Sequence, residues 1–377
     1  MVKIEDFAVE QWMDKYELTA RYNIAETCCA SISVDDLRAL SEDKETDPLG
    51  QLQSTKLTYG SIRDNILITA GAIQANFLVL YSLVGPGDHV ICHYPTYQQL
   101  YSVPASLGAE VSLWKSNEAN EWQLDIEELK GLIRPNTKMI IINNPQNPTG
   151  AIIPHDTLKS LINIARETSI ILFSDEPNGP AIPPSLLSFG YEHTIATGSV
   201  SKAYSLAGLR VGWIASRSHS LIEACANSRD YTTISVGQID DAVASFALAP
   251  ECIHNLLKRN LELARTNLAI LEKFIDSHRW ACEWVKPKAG TTAFVRFTKM
   301  GKPINDVVFC ETLQEKSGVM FVPGSRCFGG GEEFQGYVRI GYVCETEVLE
   351  KGLEALRTFM EDEYEDVPSL KKTKSAQ

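Results

Sequence analysis

The strongest constraint on the fold is a recurring unit between residues 66 and 174: a short apolar run ends at glycine or a polar residue, and a helical pattern follows. Ile66–Thr69 runs up to Gly71, and Gln74–Leu83 then shows helical spacing. Val90–Cys92, Met139–Ile142 and Ile170–Ser174 are further runs of the first kind. Between the last two, Leu158, Leu161, Ile162 and Ile164 gather the apolar residues of Thr157–Thr168 on one helical face. Apolar runs this short read as buried strands, and strands that alternate with helices join by right-handed crossovers into a mainly parallel sheet. A helical stretch over Ile253–Phe274 follows, and after Trp280 the pattern changes. Ala293–Phe297 and Tyr337–Ile340 then read as strands and Glu345–Glu361 as a final helix. At 377 residues the chain is long for one average core. The expectation is an α/β protein with a central mainly parallel sheet in a large domain over 51–265 and a smaller α+β domain over 266–362. Residues 1–50 form an N-terminal segment that completes the smaller domain, and the polar tail over 363–377, with Lys371, Lys372 and Lys374, is expected to be disordered.

The net charge of -13, with no basic cluster, argues against nucleic acid and anionic membranes as main partners. The charged, amphipathic N-terminus lacks the apolar stretch of a signal peptide, and no run of about 18 apolar residues suits a membrane span. The nine cysteines are irregularly spaced, with Cys28 and Cys29 adjacent and no CxxC pair. That pattern speaks against a zinc site and for free thiols in a cytoplasmic protein.

Ligands of open α/β sheets bind beyond the carboxyl ends of the strands. Gly71-Ala72-Ile73, Asn144–Gly150 and Ser174-Asp175 all fall there. The most informative segment is Ser199-Val200-Ser201-Lys202, followed by Gly208, Arg210 and Gly212. It sets one lysine among small hydroxyls, with a cation eight residues on. A lysine amine becomes a nucleophile near neutral pH when it is partly desolvated or close to other cations. Hydroxyls and an arginine are suited to a phosphate monoester.

This segment resembles the lysine signature of the fold-type-I pyridoxal-5′-phosphate (PLP) enzymes, the class I and II aminotransferases, and the similarity runs over about residues 55–360. The resemblance implies that Lys202 carries PLP and that Ser199, Ser201 and Arg210 bind its phosphate, helped by the backbone N–H groups of Ala72 and Ile73 at a helix N-terminus. Asn144–Gly150 resembles the family's NPxNPTG turn, so Asn147 would bond the pyridoxal phenolic oxygen and border the substrate. Asp175 would pair with the pyridinium nitrogen, keeping the ring an electron sink. Tyr97 would stack on the ring, and Arg339 would hold the substrate α-carboxylate through a bidentate pair. Tyr59 would reach the phosphate of a neighbouring subunit, which implies a homodimer. Glu26, Cys28 and Cys29, in the stretch Asn23–Cys29, are placed near the substrate entrance.

Two departures from the family pattern bear on activity. Only Ser61–Asn65 separates Tyr59-Gly60 from the strand at Ile66, where the family has a longer helix. Asp175 is followed by Glu176-Pro177-Asn178, with no tyrosine, leaving Asn178 as the donor to the pyridoxal oxygen. The chain most resembles aminotransferase-like enzymes of fungal secondary metabolism, akin to 1-aminocyclopropane-1-carboxylate synthase-like lyases and capreomycidine synthase. Three readings stay open: an aminotransferase acting on an α-amino acid, a lyase working by β- or γ-elimination or retro-aldol cleavage, and a non-catalytic relative.

Overall fold

The computed structural model describes residues 4–50, 65–176 and 183–370. The larger sheet has seven strands: β1 (Ile66–Thr69), β2 (His89–Tyr94), β3 (Glu110–Lys115), β4 (Thr137–Asn143), β5 (Ile171–Asp175), β6 (Thr194–Ser199) and β7 (Gly212–Ser216). Their order is β1-β7-β6-β5-β4-β2-β3. All neighbours are parallel except that β7 runs against both β1 and β6. The sheet is thus mainly parallel, as expected. Strands β3, β6 and β7 escaped the sequence reading because they are not apolar runs. In β6, Thr194 and Thr197 are buried polar residues, and their place in the sheet depends on neighbours distant in sequence.

Both faces of the sheet are covered, which is why the central strands read as unbroken apolar runs. Met139 and Ile141 of β4 pack with Val90, Phe173 and Ile195 on the face that meets Leu78 and Val79 of the helix Gly71–Leu83. Ile140 and Ile142 point the other way, onto Leu158, Leu161 and Ile162 of the helix His155–Thr168. Each such side chain taken out of water stabilises the fold by about 1.5–3 kcal/mol. The same alternation carries Asp175 of β5 to the face of Ile171 and Phe173, toward the Gly71–Leu83 helix.

The smaller sheet is antiparallel, in the order Lys302–Pro303, Thr292–Lys299, Tyr337–Gly341, Val322–Pro323, with Cys282–Trp284 also on Thr292–Lys299. Its core takes in Leu349, Leu353 and Leu356 of the final helix Thr346–Asp362 and Val9 and Trp12 of the helix Ala8–Tyr16. Trp12 Nε1 donates to the Phe321 carbonyl at 2.8 Å. The strand Tyr337–Gly341 lies between two others, so Arg339 is interior to the sheet and not on an edge. The Gly341 N–H donates to the Ile24 carbonyl at 2.9 Å, and a Cβ on Gly341 would lie 1.7 Å from the Glu26 carbonyl oxygen. Only glycine lets the segment 24–28 pass so close to the strand.

The expectation of a disordered tail from 363 is corrected for 363–370. Tyr364 and Val367 bury their side chains in the smaller core, Ser369 pairs with Ile304, and the Leu370 N–H donates to the Pro303 carbonyl at 3.0 Å. Two apolar anchors in a polar stretch are enough to order it.

Candidate active site

A cavity of about 580 Å³ opens at the carboxyl ends of β4, β5 and β6. Lys202, just beyond β6, points its amine into a cluster from the N-terminal segment. Nζ lies 2.5 Å from Thr27 Oγ1, 3.4 Å from Cys28 Sγ and 3.9 Å from Glu26 Oε1. The Cys29 N–H donates to the Lys202 carbonyl at 3.1 Å and ties the two segments through the main chain. Burial pushes the Glu26 carboxyl up, but the Lys202 charge and the Thr27 and Cys28 N–H groups, 2.6 and 3.0 Å away, outweigh it. The carboxyl is held below its usual range and is ionised. Burial pushes the Cys28 thiol up to about 11, so it stays protonated at neutral pH.

Asp175 ends β5 with 9% of its surface exposed. Asn143, the last residue of the adjacent β4, donates from Nδ2 to Asp175 Oδ2 and to the Asp175 carbonyl, each at 3.2 Å. Thr197 of β6 lies 3.4 Å from Oδ1 and donates to Asn76 Oδ1 at 2.6 Å. Burial raises the carboxyl to about 6 even though Asn76 and Thr197 hydrogen-bond it. Among the described residues no cation lies within ion-pair distance of Asp175. A protonated ring nitrogen would supply one.

The helix Gly71–Leu83 starts at Gly71, with φ +81°. Its first N–H groups have no intrahelical acceptor, and Ala72 and Ile73 line the cavity. Arg210 lies against this helix start, so that a Cβ on Gly71 would come 2.5 Å from Arg210 Nη2. Arg210 Nη1 donates to the Ala207 carbonyl at 2.9 Å and lies 3.4 Å from Ser201 Oγ. No carboxylate pairs with Arg210 among the described residues. Ser199 and Ser201 complete this wall. Orphan N–H groups, two hydroxyls and an unpaired guanidinium fit a phosphate.

On the opposite wall Arg339 is 3% exposed. Its Nη2 donates to the Ala25 carbonyl at 3.1 Å, and its Nη1 lies 3.4 Å from Asn147 Oδ1. Its Nε has no partner among the described residues. Asn147 is fixed by its own N–H, which donates to Asn143 Oδ1 at 2.7 Å. Tyr97 borders the cavity with its ring 4.9 Å from that of Phe7, and its hydroxyl donates to Glu10 Oε1 at 2.7 Å.

Residues 53–356 match the family model for aminotransferase class I and II. The chain belongs to the class I and II aminotransferases. It is 29% identical to capreomycidine synthase from Streptomyces vinaceus over 92% of each chain. It is 28% identical to aspartate aminotransferase from Thermotoga maritima, over 79% of this chain and 76% of that protein. Among solved structures, a PLP-dependent aminotransferase from Streptococcus suis is 41% identical, with a TM-score of 0.87 over 96% of this chain and 98% of that one. The fold is that of fold type I, and the protein is a PLP-dependent enzyme. The donor set described above accommodates that cofactor.

In this aminotransferase-family enzyme, every cofactor-binding, catalytic and substrate-carboxylate residue expected from sequence that falls within the described residues lines this cavity. Tyr59 and Asn178, and with them both departures from the family pattern, lie outside the described residues. Glu26 and Cys28 are at the cavity wall, whereas Cys29 is buried behind it. Sequence reasoning missed Asn143, Asn76 and Thr27. Asn143 offered a faint signal, a polar residue ending an apolar run. Asn76 offered another, a polar residue among Ala75, Leu78 and Val79 on the buried side of its helix.

Proposed function

We propose that this enzyme is an aminotransferase that passes the amino group of an α-amino acid to a 2-oxo acid, with Lys202 carrying PLP and moving the proton at the substrate Cα. The observation that carries this reading is the meeting in one cavity of Lys202, Asp175, Arg339 and the phosphate wall around Arg210. PLP supplies the electron sink that makes the Cα proton labile. The Lys202 amine would take that proton and return it. Asp175 would hold a positive charge at the ring nitrogen, and Asn147 would bond the phenolic oxygen. Arg339 binds and orients the α-carboxylate, so that the Cα–H bond is presented to Lys202. Tyr97 would cover the ring.

We further read the protein as a cytoplasmic homodimer of secondary metabolism. No helix among the described residues is long and apolar enough to cross a membrane. What supports a dimer is an exposed apolar stripe of Ile73, Phe77 and Tyr81 on one face of the Gly71–Leu83 helix, with Phe77 and Tyr81 stacked 5.7 Å apart. Similarity to capreomycidine synthase supports the metabolic reading.

A second reading, elimination or carbon–carbon cleavage, is favoured by one observation. It is the similarity, over 92% of this chain, to capreomycidine synthase, a relative whose name is that of a synthase and not of an aminotransferase.

One experiment tests both. Protein purified with PLP is compared with Lys202→Ala by absorbance, then incubated with amino acids with and without a 2-oxo acid. A lysine-dependent band and amino transfer only with the acceptor support the aminotransferase. Ammonia or aldehyde released without an acceptor supports the lyase. Absence of the band in the wild type overturns the roles given to Lys202 and its neighbours.

A further inference from the structure

Four carboxylates line the cavity, Glu10, Glu17, Glu26 and Asp175, against three cations, Lys202, Arg210 and Arg339. The function proposed above uses all three cations: Arg210 on the phosphate, Arg339 on the α-carboxylate, and Lys202 first in holding the cofactor and then as the base at the substrate Cα, a role that requires its amine to be neutral. It uses only one of the carboxylates, Asp175. Among the described lining residues no cation then remains to oppose Glu10, Glu17 and Glu26.

These three are arranged, not scattered. Glu10, Met13 and Glu17 fall at i, i+3 and i+7 along the helix Ala8–Tyr16 and the turn Glu17–Thr19 that continues it, so they share a face. Glu10 is oriented by the Tyr97 hydroxyl. Glu26 lies deeper and is pinned by the N–H groups of Thr27 and Cys28. Their fields overlap: the Glu17 carboxyl is pushed up by partial burial and then by the charges of Glu26, Asp14 and Glu10.

A second observation points independently to a ligand and gives it a direction. Arg339 is buried, borders the cavity and leaves Nε without a described partner, as a guanidinium awaiting an anion would. Its Nη1 lies against Asn147 Oδ1, and its Nη2 donates to the carbonyl of Ala25, the residue next to Glu26. The anion-binding arginine and the Glu26 carboxylate are therefore fixed relative to each other through the main chain. A substrate held by its α-carboxylate at Arg339 and by its α-nitrogen beside Lys202 extends its side chain along a wall that carries uncompensated negative charge.

We infer that the site selects amino acids whose side chain ends in a cation, an ammonium or a guanidinium, and that Glu26, with Glu10 and Glu17 nearer the mouth, receives that group. This rests on the function proposed above and names its substrate class. A side-chain carboxylate is repelled by the same wall, and a neutral side chain leaves the three charges unopposed.

The test uses the PLP-loaded enzyme with L-ornithine, L-arginine, L-methionine and L-glutamate. Two readouts are taken: steady-state kcat/KM, and calorimetric binding to PLP-loaded Lys202→Ala, in which proton transfer by the lysine cannot run. Ornithine or arginine is expected to exceed methionine by about tenfold and glutamate by about 100-fold in both, on the scale of one to two charge contacts. Glu26→Gln and Glu17→Gln are expected to narrow the ornithine-to-methionine ratio, chiefly through KM. A wild-type preference for methionine or glutamate, or a ratio untouched by both variants, overturns the inference while leaving the PLP reading intact. Absence of a lysine-dependent cofactor band in the wild type overturns both, and that outcome is separately visible by absorbance.

Discussion

Asn143 and Asp175 are tied twice across adjacent parallel strands: the Asn143 amide reaches both the main-chain oxygen and the carboxylate of Asp175 at 3.2 Å. The same side chain accepts the Asn147 N–H, so one residue holds two that line the cavity. Asn143→Ala is expected to weaken PLP binding by about 10- to 100-fold, the equivalent of one or two bonds to a charged group. Equilibrium dialysis against PLP, with circular dichroism to show retained fold, checks this.

Asp175 should make cofactor binding depend on pH. Its carboxyl is raised by burial from 3.8 to about 6 in the free protein. A raised folded-state value means that its contribution to stability is fully present below 3.8 and lost as pH rises through about 6. A positive ring nitrogen reverses this by favouring the ionised form. PLP affinity is therefore expected to fall as pH drops below about 6, and Asp175→Asn to lack that component. Dissociation constants of both proteins measured from about pH 5 to pH 8 separate this step from the titration of the phosphate.

Arg339→Lys keeps the charge and discards the planar fork. Loss of a bidentate carboxylate pair is expected to reduce kcat/KM by about 100-fold, mostly in KM, with the cofactor absorbance unchanged. A loss confined to kcat would move Arg339 out of the carboxylate-binding role.

Gly71→Ala combines a left-handed backbone with a Cβ 2.5 Å from Arg210 Nη2. It is expected to cost about 1–2 kcal/mol in urea unfolding and to weaken PLP binding about tenfold by displacing the arginine. Gly190→Ala is the control: φ is +71° there, but nothing lies within 4 Å of the added carbon. It should lose about 1 kcal/mol and bind PLP normally.

Much of the site was legible because its members are local words. Ser199-Val200-Ser201-Lys202, the Asn144–Gly150 turn and Asp175 at a strand end each carry their geometry in a few residues. The supporting bonds were not legible. Thr27 meets Lys202 across 175 positions and Asn76 meets Thr197 across 121, and neither pair leaves a periodic trace. The tail shows the same limit in reverse, since its polar composition hid the two anchors Tyr364 and Val367.

The amino-acid sequence alone determined the alternation of strands and helices, the mainly parallel sheet and the lysine with its phosphate-suited neighbours, because these rest on periodicity and short-range chemistry. Only the tertiary structure decided that β7 runs against its neighbours, that Gly341 lets the segment 24–28 lie against the strand bearing Arg339, and that the Glu10, Glu17 and Glu26 carboxylates face the same cavity as Lys202. Electrostatic fields and close approach depend on distance in space, and in this chain the N-terminal segment supplies charges to a site whose other residues are spread from Ala72 to Arg339.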